Sequence, residues 1–133
     1  MVYLDTHVLV WLFAGRTHLI PAPARAVIDG NDLLISPIAV LELQYLFESG
    51  KTLEPAEPVV QALGRELGLK RCDLSFADVI GVAVLEGWTG DPFDRITVAH
   101  ARLRGAPLLT KDRSIHAHYA EAVWDEPLGG VAV

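Results

Sequence analysis

An α/β domain built on a parallel sheet is what this sequence predicts, on three observations. Short apolar runs alternate with stretches of helical period, the arrangement of strands and covering helices in α/β proteins. Two of those runs, Val2-Tyr3-Leu4 and Pro107-Leu108-Leu109-Thr110, lead through an acid, Asp5 or Asp112, into a helix. The 133 residues are 51% hydrophobic with a mean hydropathy of +0.32. That is enough for one core, so residues 1–133 are read as a single domain with some apolar surface left for a partner.

Composition also narrows the function. The formal net charge of −6 argues against broad electrostatic binding to nucleic acid. Chemistry on such a substrate would need local basic residues, a metal ion, or both. Cys72 is the single cysteine, which excludes an internal disulfide and a cysteine zinc cluster and fits a reducing cytoplasm. No apolar run approaches the ~20 residues of a membrane span. Met1-Val2-Tyr3-Leu4-Asp5 has neither the basic nor the apolar region of a signal peptide and reads as a folded strand.

Each element can be justified in order. After the first strand, Thr6 is a good N-cap for a helix over residues 7–13. Asp5 then sits at the carboxyl end of a strand, the edge where open parallel sheets bind ligands, although an acid there can also simply stabilise the turn. Gly15 closes that helix, residues 21–29 form a second, and residues 33–36 form the next strand. Pro37 opens a helix reaching about Ser49. On it Gln44, Glu48 and Lys51 mark a wet face, and Glu42 lies roughly 160° from Gln44 at 3.6 residues per turn. Its neighbours Ile38, Ala39, Tyr45 and Leu46 are largely apolar. An inward acid must be protonated, salt-bridged or bound to a cation, because burying it unpaired costs several kcal/mol.

Residues 55–67 form the next helix, with Val59, Val60, Leu63 and Leu67 inward, and residues 69–74 hold an edge strand softened by Lys70, Arg71 and Asp73. The apolar pair around Val40-Leu43-Phe47 and Val59-Leu63 is the expected protein-contact surface. Ser75-Phe76-Ala77-Asp78 is a capping box with Asp in place of Glu, so Asp78 is structural, and residues 79–85 are core helix. In Gly90-Asp91-Pro92-Phe93-Asp94-Arg95, Asp91 caps a helix, Pro92 takes its first position, and both acids complement the dipole. On that helix Ile96, Ala99, His100 and Leu103 face one way, with His100 a core histidine, and Arg95 and Arg102 face another. Gly105 stops the helix. The strand over residues 107–110 runs into Thr110-Lys111-Asp112, and residues 122–124 are the last strand before a tail at Gly129-Gly130. His116 and His118, two apart on a helix, make a poor metal pair.

Asp5, Glu42, Asp94 and Asp112, with Asp91 beside them, therefore lie at strand ends, at helix starts, or inward on a helix. If the first and fourth strands are neighbours, Asp5 and Thr110 sit ~4.8 Å apart. At such a spacing two carboxylates repel by ~3–4 kcal/mol at an effective dielectric of 20. A hard divalent cation resolves several such charges, and all-oxygen ligation points to Mg²⁺ or Mn²⁺ rather than Zn²⁺. Carboxylate-held Mg²⁺ suits displacement at a phosphodiester.

Asp5-Thr6-His7-Val8-Leu9-Val10-Trp11, Glu42, Asp91-Pro92-Phe93-Asp94-Arg95 and Thr110-Lys111-Asp112, in that order over nearly the whole chain, resemble the PIN-domain ribonucleases and, more narrowly, the VapC-type toxins of toxin–antitoxin pairs. The resemblance implies a three-layer α/β/α sandwich around a mostly parallel sheet of four to five strands. It also implies a Mg²⁺- or Mn²⁺-dependent RNA endonuclease that hydrolyses phosphodiesters with an activated water, a homodimer, and a cognate antitoxin that masks the site. By position, Asp5, Glu42, Asp94 and Asp112 become the catalytic metal-binding acids, Thr6 and Thr110 orient them, and Asp91 is an outer carboxylate or only the cap. Arg95, Lys111 and Arg113 are near enough to touch RNA phosphates, while Trp88-Thr89-Gly90 supplies no basic flank. Two alternatives stand beside this reading. One is a phosphohydrolase of the haloacid-dehalogenase type using Asp5, Lys111 and Asp112, although His7 stands where that chemistry wants a second Asp. The other is a catalytically silent binding module.

Overall fold

The computed structural model describes residues 1–125, so the expected tail at Gly129-Gly130 lies outside the described residues. The elements run β1 (Val2–Leu4), α1 (Thr6–Phe13), a turn of 3-10 helix (Thr17–Leu19), α2 (Ala22–Gly30), β2 (Leu33–Ile35), α3 (Ile38–Glu48), α4 (Ala56–Leu67) and β3 (Lys70–Arg71). They continue with α5 (Phe76–Ala83), α6 (Pro92–Arg104), β4 (Leu108–Leu109), α7 (Arg113–His118) and β5 (Ala122–Val123). The five strands form one sheet in the order β3-β2-β1-β4-β5, every pair parallel. β1 is central and short, and its register sets Leu4 opposite Leu109. Asp5 and Thr110 therefore leave neighbouring strands side by side.

Strand alternation divides the core between the two faces of the sheet. Val2, Leu4, Ile35 and Leu109 pack under α1 to α4 with Val8, Leu9, Leu43, Val59 and Leu63. Tyr3 and Leu108 point the other way, against Val98 and Ala101 of α6 and Ile115 of α7. α5 completes that layer by packing Val79 and Ala83 on Ala99 of α6. The result is helix, sheet and helix in three layers. Gly68 and Gly105 end α4 and α6 in the left-handed region, at φ of 72° and 61°, where a side chain would be strained.

Several local expectations are corrected. Asp5 rather than Thr6 is the N-cap of α1, its carboxylate accepting from the Thr6 backbone N–H. This frees the Thr6 hydroxyl for another partner. α3 is not wet on one side and dry on the other: Gln44 is half-buried and accepts from the backbone N–H of Ala56, whereas Leu41 and Tyr45 are exposed. Tertiary contact with α4 overrides the helical period there. The expected contact surface is mostly interior, since Leu43, Val59 and Leu63 are buried in the core. Phe47 of that surface is exposed, as are Leu41 and Tyr45, but the most exposed large apolar side chains are Leu53, between α3 and α4, and Leu85, Phe76 and Val84, at or just beyond the ends of α5. Leu103 is likewise largely outside.

Candidate active site

Five placements on four helices bring the acids to one edge of the sheet. Asp5 ends β1 and caps α1, its Oδ1 accepting from the Thr6 N–H at 2.8 Å. Asp112 follows β4 and caps α7, its Oδ1 accepting from the N–H groups of Ser114 and Ile115. Asp91 caps α6 through the Phe93 N–H at 2.8 Å, and Pro92 begins that helix. Asp94 projects from the first turn of α6, and Glu42 comes from the middle of α3. Each of the three caps satisfies helix donors that would otherwise be orphaned. All five acids line one cavity of about 510 Å³, together with His7, Val8, Trp11, Lys111 and Arg113.

Two threonines hold the acids in place. The Thr6 hydroxyl, freed from capping and fully buried, donates to Glu42 Oε1 at 2.5 Å. The Thr110 hydroxyl donates to Asp5 Oδ2 at 2.6 Å and accepts from the Asp112 backbone N–H at 3.0 Å, linking the ends of β1 and β4. His116 Nε2 lies 2.7 Å from the Thr110 carbonyl and braces the same corner.

The electrostatics of the cavity are uncompensated. Burial raises the Asp5 carboxyl above its ordinary value, against the hydrogen bonds from Thr110 and Thr6, which lower it. Burial likewise raises Glu42, and the charges of Asp5 and Asp91 add to the rise. Asp94 is pushed up to about 7, first by burial and then by repulsion from Asp91, Asp5, Asp112 and Glu42. Among the described residues its carboxylate accepts no hydrogen bond and has no ion-pair partner. A half-buried carboxyl that feels four others marks the centre of the cluster.

Of the residues singled out in the sequence, Asp5, Glu42, Asp91, Asp94, Lys111, Asp112 and Arg113 line the cavity, and Thr6 and Thr110 stand behind it. Arg95 is not brought there: its Nε donates to the Thr89 carbonyl at 2.7 Å and anchors the turn before α6. Sequence reasoning passed over His7 and Trp11 as cavity residues. Their spacing of four on α1, beginning two residues after Asp5, is the signal that could have found them.

A divalent cation is the natural complement of this donor set, which is all oxygen and carries surplus negative charge. The side chains as they stand are not closed around an ion, since no three His, Cys, Asp or Glu among the described residues already form a metal-holding group. The orphan carboxylate of Asp94, in the same cavity as the others and within reach of their charges, fits the role of a ligand.

A model of the PIN domain matches residues 2–121. The chain belongs to the PIN-domain family. This PIN domain is 32% identical to Ribonuclease VapC22 of Mycobacterium tuberculosis over 120 residues, covering 88% of this chain and 91% of that relative. Among solved structures it is similar to a toxin–antitoxin complex from Klebsiella pneumoniae. There the TM-score is 0.66 at 20% identity, over 96% of this chain and 99% of the other. It is also similar to VapBC2 from Rickettsia felis bound to a DNA fragment from the promoter, with a TM-score of 0.60 at 21% identity, over 94% and 100% of the two chains. These likenesses agree with the parallel five-stranded sheet and its two helical layers. Among the described residues, no helix is long and apolar enough to cross a membrane.

Proposed function

We propose that this PIN domain is a VapC-type endoribonuclease, the toxin of a toxin–antitoxin pair, working in the cytoplasm with Mg²⁺ or Mn²⁺. The observation that carries this reading is the half-buried, unpaired Asp94 in a cavity shared with Asp5, Glu42, Asp91 and Asp112. Family membership and the VapC22 relative support RNA as the substrate.

Asp5, Glu42, Asp94 and Asp112 would hold the cation. Bound there, it supplies charge neutralisation at the phosphodiester and makes a water acidic enough to attack. Thr6 and Thr110 keep Glu42 and Asp5 turned into the cavity. Lys111 and Arg113, on the rim, meet substrate phosphates. Hydrolysis by this route leaves 5′-phosphate and 3′-hydroxyl ends. The solved relatives named as toxin–antitoxin complexes support a cognate antitoxin that covers the site. The exposed Phe76, Val84 and Leu85 offer apolar surface to such partners or to a second copy in a homodimer.

The test is cleavage of RNA by the full chain with Mg²⁺ or Mn²⁺, with Asp5→Asn and Asp94→Asn as controls. Cutting is expected to stop in EDTA and in both variants. Cutting that persists in EDTA or in both variants overturns the mechanism. Ion binding without any cutting would favour the silent binding module, and a trapped aspartyl-phosphate would revive the phosphohydrolase.

A further inference from the structure

The cavity has a second half that the acids do not use. α1 leaves Asp5 with His7 and then Trp11 on one face, one helical turn apart, about 5.4 Å along the axis. Both line the same cavity as the acids that α3 and α6 supply. His7 is exposed, and its ring centroid lies 6.2 Å from that of Trp11. Trp11 is half-buried: part of it packs into the core beside Trp124, with centroids 5.8 Å apart. The rest of the ring opens into the cavity, so it is held rigid while offering a face.

One cation stands beside that face and a second lines the same cavity. The Lys111 ammonium lies 6.0 Å from the centre of the Trp11 ring, at the outer limit of a cation–π contact, and Arg113 is exposed on the same rim. Neither is in an ion pair among the described residues, so both can turn to an anion. A chain of net charge −6 with five acids in its cavity repels a polyanion, and two cations offset little of that. Stacking on aromatic rings is worth about 1–3 kcal/mol per base and tolerates any sequence. It supplies affinity that the charges here do not.

We infer that His7 and Trp11 form a nucleobase-stacking subsite, with Lys111 and Arg113 on its phosphate, that seats one unpaired nucleotide of an RNA strand next to the acidic half of the cavity. This rests on the ribonuclease reading and sharpens it: the substrate is single-stranded at the cut, because a base held in a duplex stack has no free face to offer Trp11. Binding displaces the Lys111 ammonium from the ring towards the phosphate and leaves the base against the indole. The acids hold the backbone, and the aromatic half sets which nucleotide lies beside it.

Two readouts test this on the full chain. In Asp94→Asn protein, a short single-stranded RNA is expected to quench tryptophan fluorescence, and the quench is expected to vanish in Asp94→Asn/Trp11→Leu, which keeps apolar volume beside Trp124 without the ring. In cleaving protein, Trp11→Leu is expected to raise KM about tenfold or more with a smaller change in kcat, Trp11→Phe to restore most of it, and His7→Ala to raise KM severalfold. A substrate made abasic in turn on each side of its mapped cleavage point should be bound more weakly by wild type at one position only, and no more weakly by Trp11→Leu there. If Trp11→Leu and His7→Ala match wild type in KM and quenching on every RNA, the subsite is overturned while the nuclease stands. If the quench depends on Trp11 but wild type does not cut, the subsite stands and the ribonuclease reading falls. If RNA is neither bound nor cut, both fall.

Discussion

Glu86 is buried and Asp94 half-buried, and the surroundings of these two acids could hardly differ more. Glu86, in the loop after α5, is only 4% exposed. Its two oxygens are each answered, one by Arg102 Nε at 2.6 Å and the other by the Trp88 indole N–H at 2.6 Å. Arg102 continues the network, donating to the His118 carbonyl and lying over the Tyr119 ring at 5.0 Å, while Trp88 stacks flat on His118 at 4.7 Å. This knot joins α6, α7 and the loop between α5 and α6. Asp94, about two turns back along α6 from Arg102, has no hydrogen bond or ion-pair partner among the described residues and four other acids around it. A compensated buried charge holds a fold together, whereas an uncompensated one is kept for something that arrives from outside. The difference separates architecture from site without reference to any relative.

That contrast can be broken from either side. The largest effect is expected at the uncompensated end: Asp94→Asn should lower RNA cleavage by a hundredfold or more. The same change should raise the melting temperature of metal-free protein by a few degrees, because it removes a repelled charge. Activity and thermal melts on one preparation check both halves, and a variant that is both inactive and less stable would contradict the repulsion.

At the compensated end the sign reverses. Arg102→Ala leaves Glu86 buried with one partner. Since the arginine side chain is 42% exposed, solvent screening reduces the loss to about 1–2 kcal/mol. That is a melting point lower by roughly 5 °C, with cleavage per folded molecule within a fewfold of wild type.

A third expectation concerns pH. Asp94 holds its proton more tightly when folded, its pKa rising from 3.8 to about 7. The folded state therefore binds more protons than the unfolded state between those values, and stability falls as pH rises through that window. Metal-free protein should melt higher at pH 5 than at pH 7.5, and added Mg²⁺ should raise the melting point more at pH 7.5, where the carboxyl is free to bind. Calorimetry at the two pH values decides it, and equal Mg²⁺ shifts would mean that Asp94 is not a ligand.

The smallest effect is expected on the cavity rim. Lys111→Ala should weaken RNA binding modestly and reduce the slope of log affinity against log salt by about 1. Affinity measured at three salt concentrations is sufficient to detect it.

How much of this could be read from the chain depends on how local the cause is. Asp91 was visible as a cap, and Asp5 and Asp112 as acids at strand ends, signals written within a few residues of themselves; that Asp5 and Asp112 also cap their helices appeared only in the structure. The α/β class followed for the same reason. Glu42 was found on a helical face that turned out to be only partly dry, since Tyr45 beside it is 52% exposed. Its hydrogen bond to Thr6 then showed what the period could not. Arg95 looked like an RNA contact and is instead bound to the Thr89 carbonyl six residues back, because the turn before α6 leaves that oxygen within reach. Nothing local singles out Glu86, and the helical period places Arg102 only on a face of its helix away from His100. Their meeting depends on a loop closing over sixteen positions, for which the residues themselves carry no mark.

The order of strands, helices and caps is set by short-range preferences, so the sequence by itself determined the α/β class, the acids at the strand ends and the family resemblance. Which acids share a cavity, which cations remain free, and that His7 and Trp11 line it with the acids were decided only when β1 came to lie between β2 and β4. Side chains far apart in the chain interact through distance and dielectric alone, and both are properties of the packed molecule.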